Sequence, residues 1–441
     1  MPSSPSMIEI ISKRTISLSP GTSHGRRCCL TPWDVAMLCP HYIQKGLLFT
    51  NLPPNFPTHR VLSLLDVGNV YILRHFYPLA GRLQTQSLRN LEGHVTGLEV
   101  YIDGNDEGAE FIHAVAENII ADDVVSPGND IPCFVISFFP LNGAINYDGQ
   151  SAPLLSLQLT ELADGALFLG CCLNHVVGDD TSYWNFFNGW AEIARTNKIA
   201  RTPVHDRWFI EGESPPVKLP FSKPSQFVIR FSPPLFRERF FHFSSHSVAK
   251  LKARENAEVI SEELVISSFQ IEILIGVARS KLSWREITRA RGFTAEYLTD
   301  CRLAMQNWER LRPKLSSEYF GNSIYAVATT VAAGELLAKG IGWEALQLNR
   351  AITGYTDAEI RGMVRAYHEA PMVYNLIMFD TRSIMMGSSP KFNMYGCDFG
   401  FGKAVAVRCG PANKFNGKLL AFPSREGGGS VAFFFEAAFA L

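Results

Sequence analysis

Between residues 201 and 236 the chain places seven prolines: Pro203, Pro215, Pro216, Pro220, Pro224, Pro233 and Pro234. Proline has no amide hydrogen to donate, so neither a helix interior nor a central strand can run through such a stretch. The segment therefore reads as a crossover between two folding units. The expected division is 1–200, a crossover at 201–236, and 237–441. A chain of 441 residues has the length for two such domains. Apolar residues make up 46% and charged residues 19%, enough for two cores and too apolar for a disordered chain. The formal net charge of −1 gives no general attraction to nucleic acid or to an anionic membrane, so an anionic ligand needs a local basic pocket.

The nine cysteines are odd in number and irregularly spaced, with no C-x-x-C, which argues against a disulfide framework or a zinc site. Residues 1–27 lack an apolar run suited to a signal peptide, and no stretch reaches the length of a membrane span. The expectation is a soluble, cytoplasmic, monomeric protein with no metal and no bound cofactor.

The strongest local signal lies at 154–175. Two apolar runs, Leu154–Thr160 and Ala166–Leu173, are joined by Ala163-Asp164-Gly165, and Asp-Gly between such runs predicts a hairpin. The second run ends at Asn174-His175. From Thr181 to Ile199 the apolar residues Trp184, Phe187, Trp190, Ala191, Ile193 and Ala194 recur at helical spacing. His175 thus falls in a strand-to-helix turn, a place that holds a side chain rigidly at a cleft. It opens the pattern His175-Val176-Val177-Gly178-Asp179. Imidazole takes and returns protons near neutral pH. A carboxylate four residues later can orient it or brace the turn. A second pattern, Asp398-Phe399-Gly400-Phe401-Gly402-Lys403, combines glycine turns with bulky aromatics. Taken singly, each pattern also fits an ordinary turn.

Elsewhere, Thr31-Pro32 predicts a helix start with Thr31 as N-cap and Pro32 at the first position. Residues 110–123, 247–257 and 262–292 read as helical. Strands are expected at 239–243, 299–307, 321–330, 374–380 and 403–408.

Taken in order along the chain, Leu30-Thr31-Pro32-Trp33-Asp34, Tyr77-Pro78-Leu79-Ala80-Gly81-Arg82, Asn174-His175 through Trp190, Tyr319-Phe320-Gly321-Asn322 and the Asp398–Gly402 motif resemble the plant BAHD acyltransferases over roughly residues 8–430. These carry H-x-x-x-D-G and D-F-G-W-G motifs. The resemblance implies an α/β fold of two chloramphenicol-acetyltransferase-like domains with mixed sheets, joined by the crossover, with an active-site channel at their interface. It implies transfer of an acyl group from acyl-CoA, a co-substrate rather than a resident cofactor, to a hydroxyl or amine of a small acceptor from specialised metabolism. His175 would be the general base, and no acyl-enzyme would form. Asp179 would point away from the channel and pair with an arginine. Asp398, Gly400, Phe401 and Gly402 would support the channel from a distance. Lys252, near the start of a helix, would contact CoA.

The chain departs from the family pattern in places. Asp180 replaces the usual glycine, at a backbone cost if that glycine has positive φ. Trp308 replaces the first arginine of the family's N-x-R-x-R pattern and leaves Arg310, which puts the partner of Asp179 in question, and Phe401 replaces a tryptophan. Segments 58–74 and 271–283 are atypical; an insertion near 271–281 would disturb its helix. The tail from Ala432 departs from the usual last strand, so an exposed sheet edge is expected there. A catalytically impaired relative that only binds a ligand or partner is one alternative reading. A lyase or hydrolase using the same channel and histidine is another.

Overall fold

The computed structural model describes residues 7–18, 26–50, 52–53, 58–125, 130–213, 215–231, 236–244, 246–247, 249–250, 253, 284–379, 382–387, 391–423 and 433–440. The expectations for 262–281, for the insertion near 271–281 and for Lys252 fall outside these residues.

Two six-stranded mixed sheets organise the molecule. The first is built from β1 (Glu9–Ile16), β3 (Ile43–Phe49), β6 (Ala109–Ala116), β7 (Leu155–Leu162), β8 (Leu167–Leu173) and β13 (Ala406–Cys409), in the order β1-β6-β7-β8-β3-β13. Only β6 and β7 run parallel in it. The second contains β9 (Phe236–Phe243), β10 (Leu298–Gln306), β11 (Ile324–Ala332), β12 (Ser383–Gly387), β14 (Lys418–Pro423) and β15 (Phe433–Ala440), in the order β11-β10-β12-β14-β15-β9. A small antiparallel sheet joins β2 (Arg26–Cys29), β5 (Val95–Gly104) and β4 (Arg82–Arg89). Strand β13, far along the chain, crosses back to pair with β3 in the first sheet. The segment from 201 to 231 contains one short 3-10 turn, Pro224–Gln226, and is tied down by isolated bridges to Leu98 and Tyr319.

The expected hairpin forms as β7 and β8, with Gly165 at φ +80° in the turn. Every residue of β8 is buried, as a strand paired on both edges and covered on both faces requires. Helix α1 (Pro32–Ala36) starts where Thr31-Pro32 placed it, with a capping box between Thr31 and Asp34. Helix α2 (Thr58–His75), the atypical 58–74 segment, is a regular helix packed on α4 (Asp180–Thr196). Between them in the sequence comes the one-turn helix α3 (Ala121–Val125).

The second sheet shows why strand periodicity matters to the site. Cys301, Leu303, Ile384, Met386, Leu419 and Ala421 point into a core with Trp284, Leu336 and Leu348. The intervening residues, among them Arg302, Ala304, Gln306, Met385, Gly387, Lys418 and Leu420, line a cavity. Successive side chains of a strand face opposite ways, so one sheet builds a core and a binding wall at once.

Three expectations are corrected. Residues 110–116 lie in strand β6 and only 121–123 are helical, in α3: a short, largely apolar run suits a buried strand as well as a helix, and here it pairs with β1 and β7. Of the residues expected as a strand at 374–380, the described ones, 374–379, hold only a 3-10 turn, Leu376–Met378. The tail does form a strand. β15 lies between β14 and β9, paired to both, so no exposed edge arises there. Its position inside the sheet predicts that a chain ending at residue 430 opens one edge of β14, strips β9 of its partner strand and aggregates instead of giving a cooperative melt. A truncated protein melting like the intact one would contradict this pairing.

Candidate active site

His175 sits just beyond β8, held from three sides. Its amide donates to Asn146 Oδ1 at 2.8 Å. Its ring Nδ1 lies 3.1 Å from Asn322 Oδ1. The Asn322 amide nitrogen donates to the His175 carbonyl at 2.7 Å and to Asp34 Oδ1 at 2.9 Å. Both of these partners only accept, so the network fixes which end of the Asn322 carboxamide is nitrogen. Its oxygen therefore faces the imidazole, and Nδ1 must carry the hydrogen that it accepts. Nε2 is left with its lone pair.

Asn322 is itself locked in place. Its backbone N–H also donates to Asp34 Oδ1, at 3.0 Å. The other Asp34 oxygen accepts from the Thr31 amide at 2.9 Å and the Thr31 hydroxyl at 2.8 Å. The Arg207 guanidinium lies 3.7 Å from Asp34 and donates to the Phe320 and Val177 carbonyls at 2.9 and 3.1 Å. Gly321 makes room for it, since a Cβ there would stand 1.9 Å from Arg207 Nη1. A fully buried carboxylate with this many donors is a rigid anchor, and the arginine beside it has its side chain buried as well. Asn322, Asp34, Arg207 and Asn146 were not identified as site residues from the sequence. Asp34 and Asn322 do lie in two of the motifs that carry the family resemblance, which was the signal available.

Asp179 is the N-cap of α4. Its Oδ1 accepts from the Thr181 and Ser182 amides at 2.9 and 3.1 Å, and its Oδ2 from the Ser323 amide at 3.1 Å. It is buried and does not line the cavity. Among the described ion pairs it has no arginine; three backbone N–H groups take that place, which is how the chain accommodates Trp308. Arg310 instead donates to the Ile352 and Tyr355 carbonyls, both at 2.9 Å. Asp180 is the first residue of α4 and is absent from the positive-φ positions, so replacing a glycine there carries no backbone strain. Its side chain forms an ion pair with Lys45 at 2.6 Å, and both face the cavity.

The Asp398–Gly402 turn lies elsewhere. Asp398 accepts from the Gly400 amide at 2.8 Å, and Gly400 and Gly402 have φ of +97° and +116°, which only glycine adopts freely. The turn thereby sends Phe399 and Phe401 into the core, against Trp190 of α4 at 4.8 Å and Phe49 of β3 at 5.1 Å between ring centroids. No residue of this turn lines the cavity.

The cavity, about 580 Å³, lies between β3 with the start of α4 on one side and the second sheet on the other. Its walls are largely apolar and aromatic, with Tyr325, Tyr367, Phe379 and Phe415 among them. Burial pushes the His175 pKa below its ordinary value, opposed by the Asp180 carboxylate, so the ring is neutral at neutral pH. For Asp180, burial raises the carboxyl pKa, but the Lys45 ammonium outweighs it and holds the group below the usual range.

The fold is one already found among solved structures. Vinorine synthase superposes with a TM-score of 0.72 at 18% identity, over 98% of this chain and 95% of that one. TRI101 of F. sporotrichioides, solved in complex with coenzyme A and T-2, gives 0.74 at 18% identity, over 94% and 95%. The sequence is more specific. A family model described as the transferase family matches residues 6–436. An uncharacterized acetyltransferase of Arabidopsis thaliana is 36% identical over 409 residues, 90% of this chain and 88% of its own. The BAHD acyltransferase DCR of the same plant is 33% identical over 96% of this chain and 88% of its own length. The chain belongs to this transferase family, the plant BAHD acyltransferases.

The geometry at Asp179 generates a stability prediction. Burial pushes this carboxyl up to about 6, against the three N–H groups that favour its charged form. The folded protein thus holds the proton more tightly than the unfolded chain. The group's contribution to stability is fullest below about pH 4 and is lost as pH rises through about 6. Chemical denaturation should show wild type losing roughly 3 kcal/mol relative to Asp179→Asn as pH rises from about 3 to about 7, and little further above that. Asp179→Ala, which orphans three N–H groups, should cost about 2–4 kcal/mol at neutral pH. A pH-independent difference from Asp179→Asn would show that the carboxyl is not raised.

Proposed function

We propose that this acyltransferase moves an acyl group from acyl-CoA to a hydroxyl or amine of a small acceptor, with His175 as general base. The observation that carries the reading is the pinning of Nδ1–H by Asn322, which presents the Nε2 lone pair at the wall of the cavity. Nε2 takes the acceptor's proton as its oxygen or nitrogen attacks the thioester carbonyl. A tetrahedral oxyanion forms, the C–S bond breaks, and the imidazolium returns the proton to the departing thiolate. Asn322 keeps the ring in the productive tautomer and accepts from Nδ1–H throughout. A thiolate leaves readily, so the step calls for a base and orientation rather than a covalent enzyme intermediate. Asp179, Asp398, Gly400, Phe401 and Gly402 act structurally, by capping α4 and buttressing the walls.

Several observations support the reading. Two relatives at 36% and 33% identity carry the names of an acetyltransferase and an acyltransferase, and a structural neighbour was solved with coenzyme A. The intact hydrogen-bond chain from Asp34 through Asn322 to His175, with Arg207 beside Asp34, and the unstrained accommodation of Asp180 favour an active enzyme over an impaired relative. The two-unit division at 201–236 fits the same reading, since acyl donor and acceptor would meet between the two sheets.

His175→Ala should lower kcat/KM by about 10²–10⁴-fold for any thioester and acceptor pair that reacts. Retention of more than about a tenth of the rate would remove His175 from the role. Because burial lowers its pKa, kcat/KM should rise with pH through a single acid limb whose midpoint lies below that of an ordinary histidine, near 6.5. Asn322→Ala frees the ring to take the wrong tautomer. It should lower kcat by roughly 10²-fold with a smaller change in KM. An unaltered kcat would show that the tautomer is set by other means.

A further inference from the structure

The wall that the second sheet turns toward the cavity is apolar over much of its length, with Ala304, Ile324, Ala326, Met385 and Leu420 along it. Two cations interrupt it. Arg302 lies 3.3 Å from Asp300 of its own strand. Lys418, the first residue of β14, has no carboxylate within ion-pair distance among the described residues. Its ammonium lies across β12 at Gly387, where a Cβ would stand 2.9 Å from Nζ, so the lysine reaches this position because that residue is glycine. The carboxylate that acts on Lys418 is Asp180, and Asp180 is already engaged by Lys45 at 2.6 Å. Two charges of this trio therefore cancel, and one positive charge remains in the cavity that holds His175. Burial pushes Lys418 down to about 8, which still leaves it mostly protonated at neutral pH. A protonated amine in an apolar wall is costly until an anion meets it.

We infer that Lys418 seats a carboxylate carried by one of the two substrates, so that the site favours an acid-bearing substrate over its neutral counterpart. The inference rests on the acyl-transfer reading and specifies the substrate class for it. A lysine ammonium meeting a carboxylate makes a charge-assisted contact, and none of the other cavity residues named above offers an uncompensated cation. The carboxylate has two sources: a dicarboxylic acyl group on the donor, or a free acid on the acceptor.

Titration calorimetry on the full chain separates them. The donor arm compares free CoA, butyryl-CoA and succinyl-CoA, the last two matched in length and differing by a terminal carboxylate. The acceptor arm, in the presence of CoA, compares aromatic hydroxy acids and amino acids with their amides. In one arm the acid should bind at least about tenfold tighter than its neutral partner. Lys418→Met, with Lys418→Gln as the second variant, should bring that ratio to within about twofold. The inference is overturned if neither arm exceeds about twofold in wild type, or if the preference survives both substitutions. It is overturned too if the substitutions weaken free CoA, butyryl-CoA and succinyl-CoA equally, which would assign the lysine to the CoA phosphates. Absence of binding by every thioester would sink the acyl-transfer reading, and this inference with it.

Discussion

One carboxamide, that of Asn322, joins the parts of the chain that make the site. Its nitrogen reaches Asp34 and the His175 carbonyl, and its oxygen reaches the His175 ring. Residues near the start, the middle and the later part of the sequence thus meet through a single side chain. The arrangement has only one consistent hydrogen-bond direction. Asp34 can only accept, so Asn322 must donate to it, so its oxygen must face the imidazole, so Nδ1 must hold the proton. The buried Arg207 guanidinium lies 3.7 Å from Asp34 at the root of the chain.

The H-x-x-x-D pattern separates into two jobs once its geometry is known. His175 faces the cavity, whereas Asp179 turns inward to cap α4 and to bind the Ser323 amide beside Asn322. The carboxylate thus braces both the helix that follows the histidine and the segment that orients its ring. Asp180, one residue on, faces the cavity again and engages Lys45. A glycine would serve the turn as well, so the added acid changes the chemistry of the wall rather than the course of the backbone. Behind α4, Phe399 and Phe401 fill the space against Trp190 and Phe49, and Gly400 and Gly402 let the chain turn tightly enough to place both rings.

Much of this was legible in the sequence where local rules decide. The Asp164-Gly165 hairpin, the Thr31 cap and the helical spacing from Trp184 to Ala194 depend on near neighbours, and each forms as its residues dictate. The position of His175 at the end of β8 followed from them. What was not legible depends on long-range pairing. Strand β6 is buried by β1 and β7, and periodicity within 110–123 carries no mark of those neighbours. The tail from Ala432 resembles no usual last strand, yet β14 and β9 offer it two open edges. The partner of Asp179 is a set of backbone N–H groups, which leave no trace in residue identity. Asn322 and Asp34 stood in recognisable motifs, but 288 positions separate them, and only the fold shows that they touch.

The central claim is the protonation pattern of one ring. Nitrogen NMR of the histidine-labelled protein, with His175 assigned by comparison with His175→Ala, reads it directly. The account predicts that above the His175 pKa, Nδ1 carries the hydrogen and Nε2 shows the shift of an unprotonated, pyridine-type nitrogen. In Asn322→Ala that preference should be lost. A native His175 protonated on Nε2, with Nδ1 bare, would contradict the account, because the nitrogen facing the cavity would then have no lone pair with which to take a proton.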